Sequence, residues 1–155
     1  MDKKILSNQI SSKIKLVRVE QNYTQDRMAS ILGISKKTLV QIEKGRTIAN
    51  WTTTVAICAL FRNSEVIRNL LGGDVLEVIE TIAHTSVEGP MEKHTEETVW
   101  WSDLSENNGY ILQQNVISQH YRIIDQDKQR WYSSTDKEAA IAKLGQVNPL
   151  VSGKI

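Results

Sequence analysis

Residues 24–45 read TQDRMASILGISKKTLVQIEKG, and this stretch decides how the first half of the chain folds. Thr24 and Ser35 are good N-cap residues, and each precedes a run of apolar residues at helical spacing. Gly33 stands between the two runs, and glycine readily adopts the positive φ that a sharp turn between helices requires. The stretch therefore predicts two short helices joined by a tight turn, which is a helix-turn-helix.

The side chains of this unit divide into an apolar inner set and a polar outer set. Ala29 is small, so the two crossing helices can approach each other closely. The apolar contacts that fix the crossing come from Met28, Leu32, Ile34, Leu39 and Ile42. The outer face of the second helix keeps the polar residues Lys36, Lys37, Thr38, Gln41 and Lys44. A plain helical hairpin is the alternative, but it does not require all these residue types together with a basic outer face.

Charge is distributed unevenly along the 155 residues, although the formal net charge is only +1. Residues 1–73 hold twelve basic and five acidic residues, a net charge of +7. Residues 74–155 hold seven basic and thirteen acidic residues, a net charge of −6. Such asymmetry indicates a nucleic-acid-binding part joined to something else, whereas two solvated faces that happen to differ are the alternative.

Composition excludes several other classes of protein. The longest apolar run, Val55–Phe61, has seven residues, far fewer than the roughly 20 that cross a bilayer. The first residues turn polar too soon for a signal peptide, so no membrane partner is expected. One cysteine, Cys58, excludes an internal disulfide and a multi-cysteine metal site, and the three histidines are scattered. No nucleophile with a base, phosphate loop or persuasive carboxylate pair is present, so we expect neither an enzyme nor a cofactor.

From about residue 8 to residue 72 the sequence resembles the phage-repressor (Xre/Cro-type) helix-turn-helix DNA-binding domains. The resemblance is carried by Arg18, Tyr23-Thr24-Gln25, Met28-Ala29, Leu32-Gly33-Ile34-Ser35, Leu39 and Gln41-Ile42-Glu43-Lys44-Gly45-Arg46. It implies a cytoplasmic transcription regulator of a bacterium or phage that binds double-stranded DNA as a homodimer on a pseudo-palindromic operator. The alternative is an antitoxin-type or other interaction module, whose C-terminal domain binds a partner protein and whose DNA binding is autoregulatory.

The resemblance also implies a role for individual residues. Arg18 and Glu43 stand at the two positions of a structural ion pair, and arginine suits a partly buried, bidentate carboxylate contact. Two exposed, unpaired charges are the alternative. Gln25 matches the residue that hydrogen-bonds a phosphate at the start of the second helix, and Thr24 beside it is also expected to bind DNA.

The recognition helix and the loop after it supply the remaining expected contacts. Ser35, Lys36, Lys37 and Gln41 match groove-facing positions, and Thr38 is counted with them. We expect Lys37 and Gln41 to reach base edges, and Lys36 to contact either a base or a phosphate. The residues expected to contact the sugar-phosphate backbone of the DNA are Lys44, Arg46, Thr47 and Asn50. This loop lacks the Asn-Pro pair that is frequent in the family. We expect Trp51, at its end, to pack in the core; the alternative is that its ring lies against the sugar-phosphate backbone.

The predicted fold class is α+β, with an all-α domain of five to six helices at residues 8–84 and a linker at residues 85–97. Residues 98–148 are predicted to form a small antiparallel β-meander with a C-terminal helix. The first helix is predicted from residue 8 to residue 21, and the strands near residues 99–104, 110–117, 119–124 and 130–133. Thr135 and Glu138 are predicted to form a capping box for a helix at residues 136–144.

Two features of the strand region carry further expectations. Its aromatic residues are expected to form the core of the sheet, with exposed rings for base stacking as the alternative. The polar run Gln113-Gln114-Asn115 is expected to mark an exposed or partner-binding face. The C-terminal domain would either dimerise or receive a partner or effector.

Overall fold

The first 89 residues contain six α-helices. The structure, a computed structural model, describes residues 1–89 and 100–147. The helices are α1 (Lys3–Glu20), α2 (Gln25–Leu32), α3 (Lys36–Glu43), α4 (Trp51–Leu60), α5 (Glu65–Leu71) and α6 (Val75–His84). They lie in the first of the two compact units into which the chain divides, Met1–Pro90 and Met91–Ile155.

Each of the four helices α2 to α5 begins at a polar side chain that caps it. Thr24, Ser35, Asn50 and Ser64 each accept a hydrogen bond from the backbone N–H three residues further on. Such bonds satisfy donors that the first turn of a helix leaves without a partner. Gly33 has a φ of 69°, so the turn between α2 and α3 uses the left-handed conformation that the sequence predicts.

The first helix is longer than the sequence predicts. It begins at Lys3 rather than at residue 8, and Asp2 caps it by accepting a hydrogen bond from the N–H of Ile5. The extra turn carries Leu6, which is fully buried and extends the apolar face of Ile10 and Ile14. Burial of one more apolar side chain against the other helices is therefore what favours the added turn.

The core of this unit draws fully buried side chains from five helices. They are Leu6, Ile10, Ile14, Met28, Leu39, Ile57 and Ile67. Trp51 is partly buried against this core, as expected. Cys58 is fully buried, and burial raises the pKa of its thiol to about 11, so it behaves as a small apolar side chain.

The second unit contains a four-stranded antiparallel sheet in the order β1-β2-β3-β4. The strands are β1 (Trp101–Asn107), β2 (Tyr110–Asn115), β3 (Tyr121–Ile124) and β4 (Arg130–Ser134), and α7 (Lys137–Gln146) follows them. Asn108 and Gly109 close the first hairpin with φ values of 52° and 82°, the geometry typical of an Asn-Gly turn. The α+β fold class is confirmed.

Several predicted boundaries in this unit are wrong. The Asn115 carboxamide accepts hydrogen bonds from the N–H groups of Ile117 and Ser118, and this turn ends β2 before residue 117. It also delays β3 to Tyr121. Asp136 caps α7 in place of the predicted Thr135, because the Asp136 carboxylate accepts from Glu138 and Ala139. The predicted start of β1 at residue 99 and residues 90–97 of the predicted linker lie outside the described residues.

The helix α7 packs on one face of the sheet, against Leu112 and Ile123. Tyr110 is buried there, but Trp100 and Trp131 are 49% and 60% exposed, so the prediction that the aromatic residues form the core is wrong for these two tryptophans. Trp131 lies outside because its indole N–H donates to the Asp125 carboxylate at 2.8 Å, while its ring lies nearly perpendicular to the Tyr110 ring with 6.2 Å between the centroids.

The polar run of β2 is not simply an exposed face. Gln113 is buried, donates to Oδ1 of Asp103 at 2.7 Å and accepts from Nε of Arg122 at 2.8 Å. The Arg122 guanidinium lies 3.6 Å from the centroid of the Trp101 ring. The expectation of an exposed or partner-binding face is therefore wrong for Gln113, whose amide joins three neighbouring strands.

Candidate nucleic-acid interface

The outer face of α3 combines exposed polar residues with side chains that cap the helix. Ser35 accepts a hydrogen bond from the N–H of Thr38 at 3.0 Å, and their two hydroxyl oxygens are 2.8 Å apart. Lys37 is exposed and Gln41 is half-buried. Within residues 1–89 and 100–147, no hydrogen bond or ion pair holds the side chain of either residue. Lys37 and Gln41 are therefore the α3 side chains free to meet a ligand.

Lys36 is engaged with the neighbouring helix. Its ammonium lies 2.8 Å from Oδ2 of Asp26, and both side chains are largely exposed. Exposed pairs of this kind contribute little to stability. The pair compensates the charge of Lys36, which sets this lysine apart from Lys37.

Arg18 and Glu43 form an ion pair that links α1 to the end of α3. Nε of Arg18 lies 2.5 Å from Oε1 of Glu43, and the two side chains are only 15% and 4% exposed. Another nitrogen of the guanidinium donates to the carbonyl oxygen of Tyr23 at 2.9 Å. Arg18 thus holds the end of α3 and the turn before α2 at once.

Gln25 joins this pair from the start of α2. Its Nε2 donates to Oε2 of Glu43 at 2.7 Å. Burial raises the pKa of the Glu43 carboxyl, but hydrogen bonds from Arg18 and Gln25 and the positive charges of Arg18 and Lys15 outweigh burial, so the pKa lies below its usual value. Glu43 therefore stays ionised at neutral pH and keeps both of its donors.

The loop after α3 presents Lys44, Arg46 and Thr47, all exposed. The N–H groups of Arg46 and Thr47 donate to the carbonyl oxygen of Gln41 at 3.0 and 3.4 Å. Asn50 is partly occupied as the α4 cap, since its Oδ1 accepts from the N–H of Thr53 at 2.8 Å. Thr24 caps α2 in the same way, because its hydroxyl oxygen accepts a hydrogen bond from the N–H of Arg27 at 3.1 Å.

Residues of α1 that the sequence analysis did not assign hold this loop in place. The Ser11 hydroxyl accepts from the N–H of Ala49 at 2.9 Å, and the hydroxyl oxygens of Ser7 and Thr54 are 3.1 Å apart. Both serines are buried, at 7% exposure. Their signal in the sequence is a pair of small polar residues at helical spacing within the apolar face of α1.

The described residues contain neither a metal-binding cluster nor a membrane-spanning helix. In residues 1–89 and 100–147, no group of three or more His, Cys, Asp and Glu residues is arranged to hold a metal. Over the same ranges no helix has the length and apolar character needed to cross a bilayer.

Comparison with known proteins finds a family match, and it lies within the helical region. Residues 12–69 match the family model described as a helix-turn-helix domain. The matched segment runs from α1 into α5 and contains both short helices and every residue of the Arg18–Gln25–Glu43 network. No curated protein and no solved structure matches the chain.

Proposed function

Residues 12–69 are a helix-turn-helix domain, and from that premise we propose that the chain is a sequence-specific DNA-binding transcriptional regulator. It acts as a homodimer on a pseudo-palindromic operator, in the cytoplasm of a bacterium or of a cell that a phage infects. The two-fold symmetry of a dimer then requires half-sites about one helical turn apart.

One observation carries the proposal: Lys37 and Gln41 lie on one face of α3 and have no intramolecular partner among the described residues. The major groove admits one helix and presents a distinct set of donors and acceptors for each base pair. Gln41 can make two hydrogen bonds to adenine, and Lys37 can donate to O6 and N7 of guanine. The opposite face of α3 buries Leu39 and Ile42, so the helix can turn only its polar face to DNA.

Residues on both sides of α3 are suited to the sugar-phosphate backbone. One N–H of the Gln25 amide binds Glu43, and the second N–H remains for a phosphate oxygen. Thr24 lies beside Gln25, and Lys44, Arg46 and Thr47 lie on the loop at the other end of α3. Contacts to phosphates position a protein on the duplex, and contacts to bases give the sequence preference.

Residues 98–148 are proposed to dimerise or to bind a protein partner or effector, as a domain separate from residues 8–84. A truncated chain without residues 85–155 decides between these roles. If the truncated chain is monomeric, the second domain holds the dimer together. If the truncated chain stays dimeric, the helical domain holds it, and the second domain is available for a partner.

Gel-shift titration of the full chain tests the proposal. The probe is a duplex from the promoter region of the chain's own gene, and the competitor is a random-sequence duplex at moderate salt. We expect a complex that the competitor displaces poorly. Equal binding to both duplexes contradicts sequence-specific recognition, and co-purification of a stoichiometric basic partner with no DNA complex favours the partner-binding alternative.

A further inference from the structure

The extended α1 presents a polar stripe beside the loop that follows α3. Asn8, Ser11 and Ser12 form one wall of a groove of about 310 Å³. Lys4 is four residues before Asn8, and Lys15 is seven residues after it. Residues at these intervals share a helix face, so the two exposed lysines lie at the two ends of that wall.

The opposite wall belongs to the end of α3 and the loop. It includes Glu43, Lys44, Thr47 and Ile48. The 2.9 Å hydrogen bond from the N–H of Ala49 to Ser11 ties the two walls together. We call this feature the flank groove and define it by Asn8, Ser11, Ser12, Lys44, Thr47 and Ile48. The bond between Ala49 and Ser11 is buried, so it joins the loop to α1 away from solvent.

Charge in and around the flank groove favours an anion. Glu43 is its acidic lining residue, and the Arg18 guanidinium compensates that charge from behind at 2.5 Å. Lys44 lines the groove, helix spacing places Lys4 and Lys15 beside it, and all three are exposed cations. Asn8 and the serine hydroxyls add neutral donors. A row of separated cations with neutral donors between them fits a chain of phosphodiesters better than a single anion.

We propose that the flank groove binds the sugar-phosphate backbone of duplex DNA next to the segment that α3 reads, with Lys4 and Lys15 as phosphate contacts. This inference rests on the proposed function, because the groove begins where α3 ends and shares Lys44 with the interface described above. It adds the first helix to the DNA-contacting surface, including the turn that begins at Lys3.

The salt dependence of DNA binding tests the inference. Each phosphate that a lysine neutralises contributes about 0.9 to the slope of log K against log salt concentration. The affinity of the full chain for a short random-sequence duplex is measured by fluorescence anisotropy between about 50 and 200 mM salt. Exchanging both lysines, in Lys4→Gln/Lys15→Gln, should lower the slope by about 1.8.

Lys13→Gln is the matched control, because Lys13 is an exposed lysine on the same helix but lies on a different face. Its slope should equal that of the unmodified chain. Asn8→Asp, which adds a negative charge to the groove and keeps every lysine, should weaken binding several-fold. Urea unfolding of each variant checks that the fold is retained.

The outcomes separate this inference from the proposed function. A full-length chain that binds duplexes with the same slope after both exchanges overturns the flank groove alone. A fall in slope of about 0.9 for Lys13→Gln, half of that expected for the double exchange, also overturns it, since the effect is then one of net charge. If the unmodified chain binds no duplex at any salt concentration, the proposed function itself fails.

Discussion

The amide of Gln25 donates a hydrogen bond to Oε2 of Glu43 at 2.7 Å and so joins the first residue of α2 to the last residue of α3. Only the amide nitrogen can face the carboxylate, because the amide oxygen would be repelled by it. The bond therefore fixes the orientation of the amide. Glu43 is in turn held by Arg18 of α1, so three helices determine where the second N–H of Gln25 lies.

Loss of the Glu43 carboxylate should destabilise the first unit. Glu43→Ala leaves the Arg18 side chain, only 15% exposed, without its counter-charge, and we expect a loss of about 2–4 kcal/mol in unfolding free energy. Urea unfolding followed by circular dichroism measures it. Asp26→Ala, which breaks the exposed pair with Lys36, is the control and should cost at most about 0.5 kcal/mol. An unchanged melting temperature for Glu43→Ala contradicts the prediction.

Glu43 should affect DNA affinity through Gln25. We expect Gln25→Ala to weaken binding to all duplexes alike, because a phosphate contact carries no sequence information. Glu43→Gln should weaken binding by the same route, since a neutral amide fixes Gln25 less firmly. In the Gln25→Ala background the Glu43→Gln exchange should then have no further effect on affinity, although it still lowers stability. Equal losses of affinity in both backgrounds would show that Glu43 acts on the whole fold.

Base preference should depend on Lys37 and Gln41. Each contact to a base edge is worth about 1–3 kcal/mol of discrimination, so Gln41→Ala and Lys37→Ala should each reduce the ratio of operator to random-duplex affinity. Neither exchange should change the unfolding free energy, because neither side chain is held by another described residue. Competition titrations measure the ratio. If a variant loses affinity for both duplexes in equal proportion, the exchanged side chain contacts a phosphate and not a base edge.

Acid should remove the stability that the ion pair provides. The pKa of Glu43 is lowered in the folded chain, so the unfolded chain binds the proton more readily. The contribution is therefore fully present above the unfolded-state pKa and is lost as pH falls through the folded-state pKa. Stability measured from neutral pH down into the acid range should fall less steeply in Glu43→Gln than in the unmodified chain. If the unfolding free energy falls equally steeply with pH in both proteins, the prediction is wrong.

Local rules predict the helix-turn-helix well, because the features that set it are short in sequence. The caps at Thr24 and Ser35 and the positive φ of Gly33 follow from the residue types at these positions. The start of α1 does not, because it depends on burying Leu6 against other helices. The local pattern at residues 3–7 does not determine a contact that is made only after the chain has folded.

Contacts formed only in the folded chain also explain the other differences between the predictions and the structure. The bond between Gln25 and Glu43 spans eighteen residues, and Gln25 by itself suggests only a phosphate contact. Gln113 is polar yet buried because Asp103 and Arg122 satisfy its amide. Trp131 is apolar yet exposed because Asp125 holds its N–H. For Gln113 and Trp131, a side-chain hydrogen bond outweighs the residue's average preference for the interior or the surface.

Different residues of α3 hold the fold and face outward, and this separation has an evolutionary consequence. Leu39 and Ile42 hold the helix in the core, and Glu43 fixes its end, whereas the side chains of Lys37 and Gln41 make no hydrogen bond or ion pair within the described residues. Mutations at the two outer positions can therefore accumulate without loss of the folded state. After gene duplication, two copies could diverge to separate operators through a few exchanges on one helix, and cross-talk between them would fall while the scaffold stayed the same.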